Sequence, residues 1–90
     1  MEKGINILKE ELMLNKGADV IIDICHKLYG NQKIRCILDY IFDEKRIGFR
    51  ANNKHEVFIH RENLVDYGVN DGIYFADNVM RIKIKLNRVV

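Results

Sequence analysis

Ile34-Arg35-Cys36-Ile37-Leu38-Asp39-Tyr40-Ile41-Phe42-Asp43-Glu44-Lys45-Arg46-Ile47-Gly48-Phe49-Arg50-Ala51 is the stretch on which the fold turns. Ile34, Cys36, Leu38, Tyr40 and Phe42 recur at every second position, the repeat of a strand with one face toward a core. Asp43-Glu44-Lys45-Arg46 breaks the alternation with charge, so the chain reverses there. Centring the turn on Glu44-Lys45 sets Phe42 against Ile47, Tyr40 against Phe49 and Leu38 against Ala51. The same register sets Asp39 against Arg50. A slip of one residue moves every side chain to the other face and loses both matches.

Toward the C terminus, a three-residue turn at Asn52-Asn53-Lys54 brings Val57 to Phe49, Ile59 to Ile47 and Glu56 to Arg50. Asp39, Arg50 and Glu56 then form a charge row over three adjacent strands. Each such pair adds only about 0.2–1 kcal/mol, so the row is a guide to register more than a source of stability. Residues 61–70 lose the alternation and read as one turn of helix and a loop. Asp71-Gly72 opens the last hairpin. Its turn at Asp77-Asn78, residue types that tolerate positive φ, pairs Phe75 with Met80 and Ile73 with Ile82. The final strand carries Ile82, Ile84 and Leu86 on one side and Arg81, Lys83 and Lys85 on the other.

Toward the N terminus, residues 18–29 fit two patterns. As a helix they gather Ala18, Ile21, Ile22, Cys25, Leu28 and Tyr29 on one face, with Asp19, Asp23, His26 and Lys27 opposite. As a strand turning at Gly30-Asn31-Gln32, they place Asp23 opposite Asp39 and Lys27 opposite Arg35. Directly opposed like charges are unfavourable, which tips the reading to helix. Residues 3–14 form a helix with Ile5, Leu8 and Leu12 on one face and Ile7 and Leu14 on the other, ended by Asn15-Lys16-Gly17 with Gly as a left-handed cap. A helix apolar on two sides needs cover on both, from its own domain or from a partner. Ile5, Leu8, Leu12 and Leu14 are therefore the expected protein-interaction residues.

The expected fold class is α+β. One or two N-terminal helices (about 3–14 and 18–29) pack on an antiparallel β-meander of about five strands (about 33–42, 46–51, 55–60, 72–76 and 79–87), with curling into a small barrel as one form of it. Residues 1–90 make a single small domain, with a helical segment 1–30 and a sheet segment 31–90. This order, with Glu56–Val65 as a strand entering a short helical turn, resembles the Sm-like and SH3-like small barrels. The resemblance implies a fold and no function.

Composition narrows the function classes. The chain has 90 residues, with 48% hydrophobic and 31% charged, no Pro and no Trp, and 6 Gly. That is a globular balance, neither disordered nor low-complexity. No apolar run approaches the ~20 residues a bilayer requires, so no membrane partner is expected. Met1-Glu2-Lys3-Gly4 leads into charge rather than a signal-peptide core. The two cysteines, Cys25 and Cys36, lack the density of a secreted disulfide scaffold, which points to a reducing, cytoplasmic setting. Charge is uneven: residues 1–77 hold all 13 acids and 11 of the 15 bases, while 78–90 carry Arg81, Lys83, Lys85 and Arg88 with no acid.

Candidate chemistry is sparse. Cys25, Cys36, His55 and His60 lack structural-zinc spacing, and His55 and His60 lie on opposite faces of one strand. No metal is expected. Cys25 and His26 diverge on either secondary structure, and Cys36 sits on an apolar strand face where a thiol is inert. Asp19, Asp23 and His26 share a helix face with Lys27, which marks solvated charge. No glycine pattern cradles phosphate. A small chain also leaves little room for a substrate cavity of ~300 Å³ or more. No catalytic residue, cofactor or small-molecule substrate is expected.

The expectation is a small non-catalytic intracellular binding or regulatory protein that docks on a protein partner or on a second copy of itself. Its Ile-, Lys- and Asn-rich composition is that of bacterial and phage accessory or inhibitor proteins. The alternative is a single-stranded DNA or RNA binder. Arg81, Lys83, Lys85 and Arg88 would track phosphates, Lys33 and Arg35 would extend the surface, and Tyr74 beside Arg81 would offer a stacking ring.

Overall fold

A computed structural model describes residues 2–51 and 55–87. One helix, α1 (Glu2–Leu14), precedes eight strands: β1 (Asp19–His26), β2 (Gly30–Ile37), β3 (Tyr40–Phe42), β4 (Arg46–Ala51), β5 (His55–His60), β6 (Asp66–Val69), β7 (Ile73–Ala76) and β8 (Met80–Leu86). A 3₁₀ turn, Arg61–Asn63, links β5 to β6. The strands form two antiparallel sheets, one of five in the order β2-β1-β8-β7-β6 and one of three in the order β3-β4-β5. The class is α+β as the sequence implies, and neither sheet closes on itself.

Residues 18–29 are not a helix. They form β1 and the turn into β2, and the physical reason is the position of the loop. The chain reverses at Lys27-Leu28-Tyr29, with Gly30 at φ +80° closing the hairpin. Turning three residues earlier than Gly30-Asn31-Gln32 moves the pairing by six. Asp23 then faces Lys33 on β2 and Lys83 on β8, and the like-charge clash that argued for helix is gone. Val20, Ile22 and Ile24 point into the core, where β-branched side chains pack well on a pleated face.

The expected strand 33–42 is split. Leu38 accepts from Gly17 N–H at 2.9 Å and donates to Ala18 at 2.9 Å, ending the β1–β2 ladder. The next carbonyl, Asp39, accepts from Arg50 N–H at 2.8 Å, so the chain changes sheets between these two residues. Beyond it the pairings are those read from sequence: Tyr40–Phe49, Phe42–Ile47, Phe49–Val57, Ile47–Ile59 and Arg50–Glu56. The expected turn at Asn52-Asn53-Lys54 lies outside the described residues. In the last hairpin Phe75 pairs with Ile82 and Ile73 with Ile84, two residues from the expected register. The Asp77 carboxylate accepts from Val79 N–H (2.8 Å) and Met80 N–H (2.7 Å), which centres the turn one position later. An even shift keeps each side chain on its face, so the core is unchanged.

One core lies between the two sheets and α1. It holds Leu8 and Leu12 from the helix, Ile22 and Ile82 from the large sheet, Ile47, Phe49 and Ile59 from the small sheet, and Phe75 from β7. The helix end is as expected: Asn15 N–H and Nδ2 both donate to Glu11 O, and Gly17 sits at φ +84°. Strand β6, read from sequence as loop, pairs Tyr67 with Phe75. A Cβ on Gly4 would lie 2.7 Å from the Tyr67 hydroxyl, so the helix backbone sits directly on that ring.

Candidate interaction surface

Three surfaces follow from this topology. The first is α1, and the structure uses most of it internally. Ile5, Leu8 and Leu12 are buried in the core, while Leu14 is 77% exposed and Ile7 and Met13 also face outward. Of the four expected docking residues, only Leu14 is on the outside. A helix stripe at i, i+3 and i+7 looks the same whether it meets a sheet of its own domain or a partner.

The second surface is the outer face of the five-stranded sheet. Alternation puts Asn31, Lys33 and Arg35 of β2, Ile21, Asp23 and Cys25 of β1, Arg81, Lys83 and Lys85 of β8, and Tyr74 of β7 on one side. The basic strand β8 is third of five, not an edge, so its charges do not guard a free edge. Lys33 and Arg35 do join its cations on this face. Acids are interleaved, however: Asp23 lies 3.8 Å from Lys33, Asp19 3.0 Å from Arg35, Asp66 3.2 Å from Arg81 and Asp71 3.2 Å from Lys85. The Arg81 guanidinium sits 5.8 Å from the Tyr74 ring centroid, and that ring covers Gly68. Arg88 lies outside the described residues.

The third surface is the β1–β2 ribbon. Its turn is built rather than loose. His26 Nδ1 accepts from Leu28 N–H at 3.0 Å and Tyr29 N–H at 3.3 Å, and the His26 and Tyr29 rings lie 4.6 Å apart. Lys27 N–H is tied to Val79 O at 3.0 Å. On this braced turn Leu28 is 80% exposed and Tyr29 85%. Strand β2 is exposed along most of its length and, among the described residues, pairs on one side only. Sequence alone does not reveal this surface, because Leu28 and Tyr29 also fit the apolar face of a helix over 18–29.

The remaining candidates stand apart from one another. Cys25 is exposed on the outer face, and Cys36 is half-buried on the inner face. Burial, with a smaller contribution from the Asp19 charge, pushes the Cys36 thiol up and disfavours its thiolate. His55 pairs with Ala51 and His60 with Arg46, at opposite ends of β5. Among the described residues, no three His, Cys, Asp or Glu side chains converge on a point that could hold a metal. No described helix is long and apolar enough to cross a membrane. A cleft of about 500 Å³, larger than the chain length suggests, is lined by Glu11, Asn15, Ile73, Lys85 and Asn87 among others.

The small sheet carries the expected charge row, and Arg46 extends it. Arg50 reaches Asp39 at 3.5 Å and Glu56 at 2.9 Å, and Arg46 reaches Glu56 at 3.3 Å and Asp43 at 2.9 Å. The Lys45 N–H, then Arg46, holds the Asp43 carboxyl below the usual carboxylate range. A hydrogen bond from Arg35, then one from Asn87, does the same for Asp19. Lowered folded-state values mean that this stability is present above the unfolded carboxylate range and is lost as pH falls through the folded-state values. Thermal melts should therefore hold level from neutrality down to about pH 5 and decline below about pH 4. The variant Asp19→Asn with Asp43→Asn should show a shallower acid decline by circular dichroism. An unchanged decline would remove these two carboxylates as its cause.

No protein-family model, curated protein or solved structure matches this chain.

Proposed function

We propose that this domain is a non-catalytic protein-binding module of the accessory or regulatory kind, and that it binds through the β1–β2 ribbon. The observation that carries this reading is the pair Leu28 and Tyr29, almost wholly exposed on a turn held by His26. Exposing two large apolar side chains side by side forgoes burial of roughly 1.5–3 kcal/mol each. Fixing them on a hydrogen-bonded turn lowers the ordering entropy a partner must overcome, which favours binding. An aromatic anchor at a projecting tip also matches the residue types that dominate interface energetics.

The variant Leu28→Ser with Tyr29→Ser tests the reading. It should melt within about 0.5 kcal/mol of wild type, because neither residue is in the core. In a pull-down from the native host, it should lose proteins that wild type retains after nuclease treatment. Identical capture by both forms would refute the Leu28–Tyr29 turn as the docking surface. Sedimentation at high concentration separates a heterologous partner from a second copy.

A nucleic-acid reading keeps one observation in its favour, the arrival of Lys33, Arg35, Arg81, Lys83 and Lys85 on one face with Tyr74. The interleaved aspartates oppose it by neutralising the field that would attract phosphate. On that reading, nuclease would abolish the capture, and changing Arg81, Lys83 and Lys85 to Ser would weaken binding in a salt-dependent way.

A further inference from the structure

Strand β2 offers a partner more than side chains. Asn87 N–H donates to Asp19 O and Lys27 N–H to Val79 O, so the odd-numbered residues of β1 bond to β8. In an antiparallel ladder bonding alternates, and the even-numbered residues of β1 therefore bond to β2. Their partners on β2 are Gln32, Ile34 and Cys36. The N–H and C=O groups of Asn31, Lys33, Arg35 and Ile37 are left pointing away from the sheet, along its free edge.

Charge says what fits there. In the small sheet, Arg50 on the central strand has a carboxylate on each side, Asp39 just before β3 on one and Glu56 of β5 on the other. Lys33 and Arg35 have the same arrangement on one side only. Asp23 and Asp19 approach them from β1, and no described strand lies on the other side, where the Lys33 and Arg35 side chains are 71% and 67% exposed. The β2 edge is thus half of a charge row that the small sheet completes. A second copy paired β2 to β2 does not complete it. An antiparallel copy centred on residue 33, 34 or 35 sets Lys33 against Lys33, Lys33 against Arg35, or Arg35 against Arg35, and like charges directly opposite are unfavourable.

We infer that the β2 edge takes an extended segment of a partner protein by strand addition, and that this segment alternates acidic residues with apolar ones. Its carboxylates lie beside Lys33 and Arg35 on the outer face, and its apolar side chains lie beside Ile34 and Cys36 on the inner face. Main-chain bonds to the odd-numbered residues give affinity, and the charge row gives selectivity. This deepens the ribbon reading and rests on it for the choice of a protein as the ligand class.

The probe is a peptide of about seven residues that alternates glutamate and valine, with a lysine–valine peptide as its counterpart. With isotope-labelled full-length protein, the glutamate peptide should slow amide exchange at Lys33 and Arg35 and leave Ile34 and Cys36, already bonded to β1, unchanged. It should bind about tenfold tighter than the lysine peptide, and Lys33→Gln with Arg35→Gln should erase that difference. Equal affinity for the two peptides overturns the inference, as does a response confined to Leu28 and Tyr29 or to β8. Slowing of the Lys33 and Arg35 amides by protein concentration alone also overturns it, in favour of a second copy. If the glutamate peptide leaves β2 unchanged while Leu28→Ser with Tyr29→Ser abolishes partner capture, the edge inference falls and the ribbon reading stands. If the peptide behaves as expected and the turn variant captures the same proteins as wild type, the edge stands and the turn does not.

Discussion

Leu8→Glu should leave the chain unfolded at 25 °C, while Leu14→Glu should be close to neutral. Leu8 is fully buried, among side chains from both sheets, and the core contains no buried polar or charged residue among those described. A carboxylate placed there has no cation or N–H donor to meet it. Leaving a charge buried and unpaired costs several kcal/mol. Protonating it instead leaves a polar group without a hydrogen-bond partner, which is also costly. The whole domain holds about 5–13 kcal/mol by per-residue scaling, and the lost packing of Leu8 adds to the penalty. Leu14 is 77% exposed at the end of the same helix, so its substitution should change stability by no more than about 0.5 kcal/mol. Circular dichroism and urea titration read both. A folded Leu8→Glu variant with altered self-association would mean that this helix face meets a partner and not the sheets.

The same helix shows how far sequence reasoning reaches. Its boundaries and its Gly17 end were legible because periodicity and a left-handed cap are local signals. Where its apolar face goes is a tertiary fact, and two apolar sides did not reveal which was internal. The β3-β4-β5 register was legible because apolar matching and the Asp39–Arg50–Glu56 row agreed independently. The break between Leu38 and Asp39 was not, since the two-residue repeat runs through it without a change of face. For residues 18–29 the position of the loop is what the sequence hides. Every residue of Lys27-Leu28-Tyr29 suits a helix, and the glycine that closes the hairpin follows them. A turn displaced by three residues sets Asp23 against Asp39 instead of Lys33 and reverses the sign of the charge pairing. The exposure of Leu28 and Tyr29 follows from that turn position, so the candidate site is less legible in the sequence than the fold.

Gly48→Ala should cost about 3 kcal/mol, near the upper end for overpacking a filled site, and Gly68→Ala less than about 1 kcal/mol. Both glycines lie inside strands, and sequence alone gives no reason to separate them. The difference is in what a methyl group would strike. At Gly48 it would fall on the Val57 carbonyl oxygen and within 2.5 Å of Phe58 Cα, both main-chain atoms of the adjoining strand. They can retreat only if β5 moves away from β4. Such a movement opens the Ile47–Ile59 and Phe49–Val57 pairs, and Ile47, Phe49 and Ile59 are all fully or almost fully buried. It also parts Arg50 from Glu56. At Gly68 the methyl group would lie 2.8 Å from the Tyr74 hydroxyl, the far end of a side chain over the solvent face, and the ring can swing aside. Alanine also loses less backbone entropy on folding than glycine does, which offsets part of the displacement. For a domain of this size, about 3 kcal/mol lowers Tm by roughly 12 °C or more. A Gly48→Ala variant melting within about 3 °C of wild type would mean that β4 and β5 are not held at the separation described, and the charge row that sets their register would lose its structural basis with them.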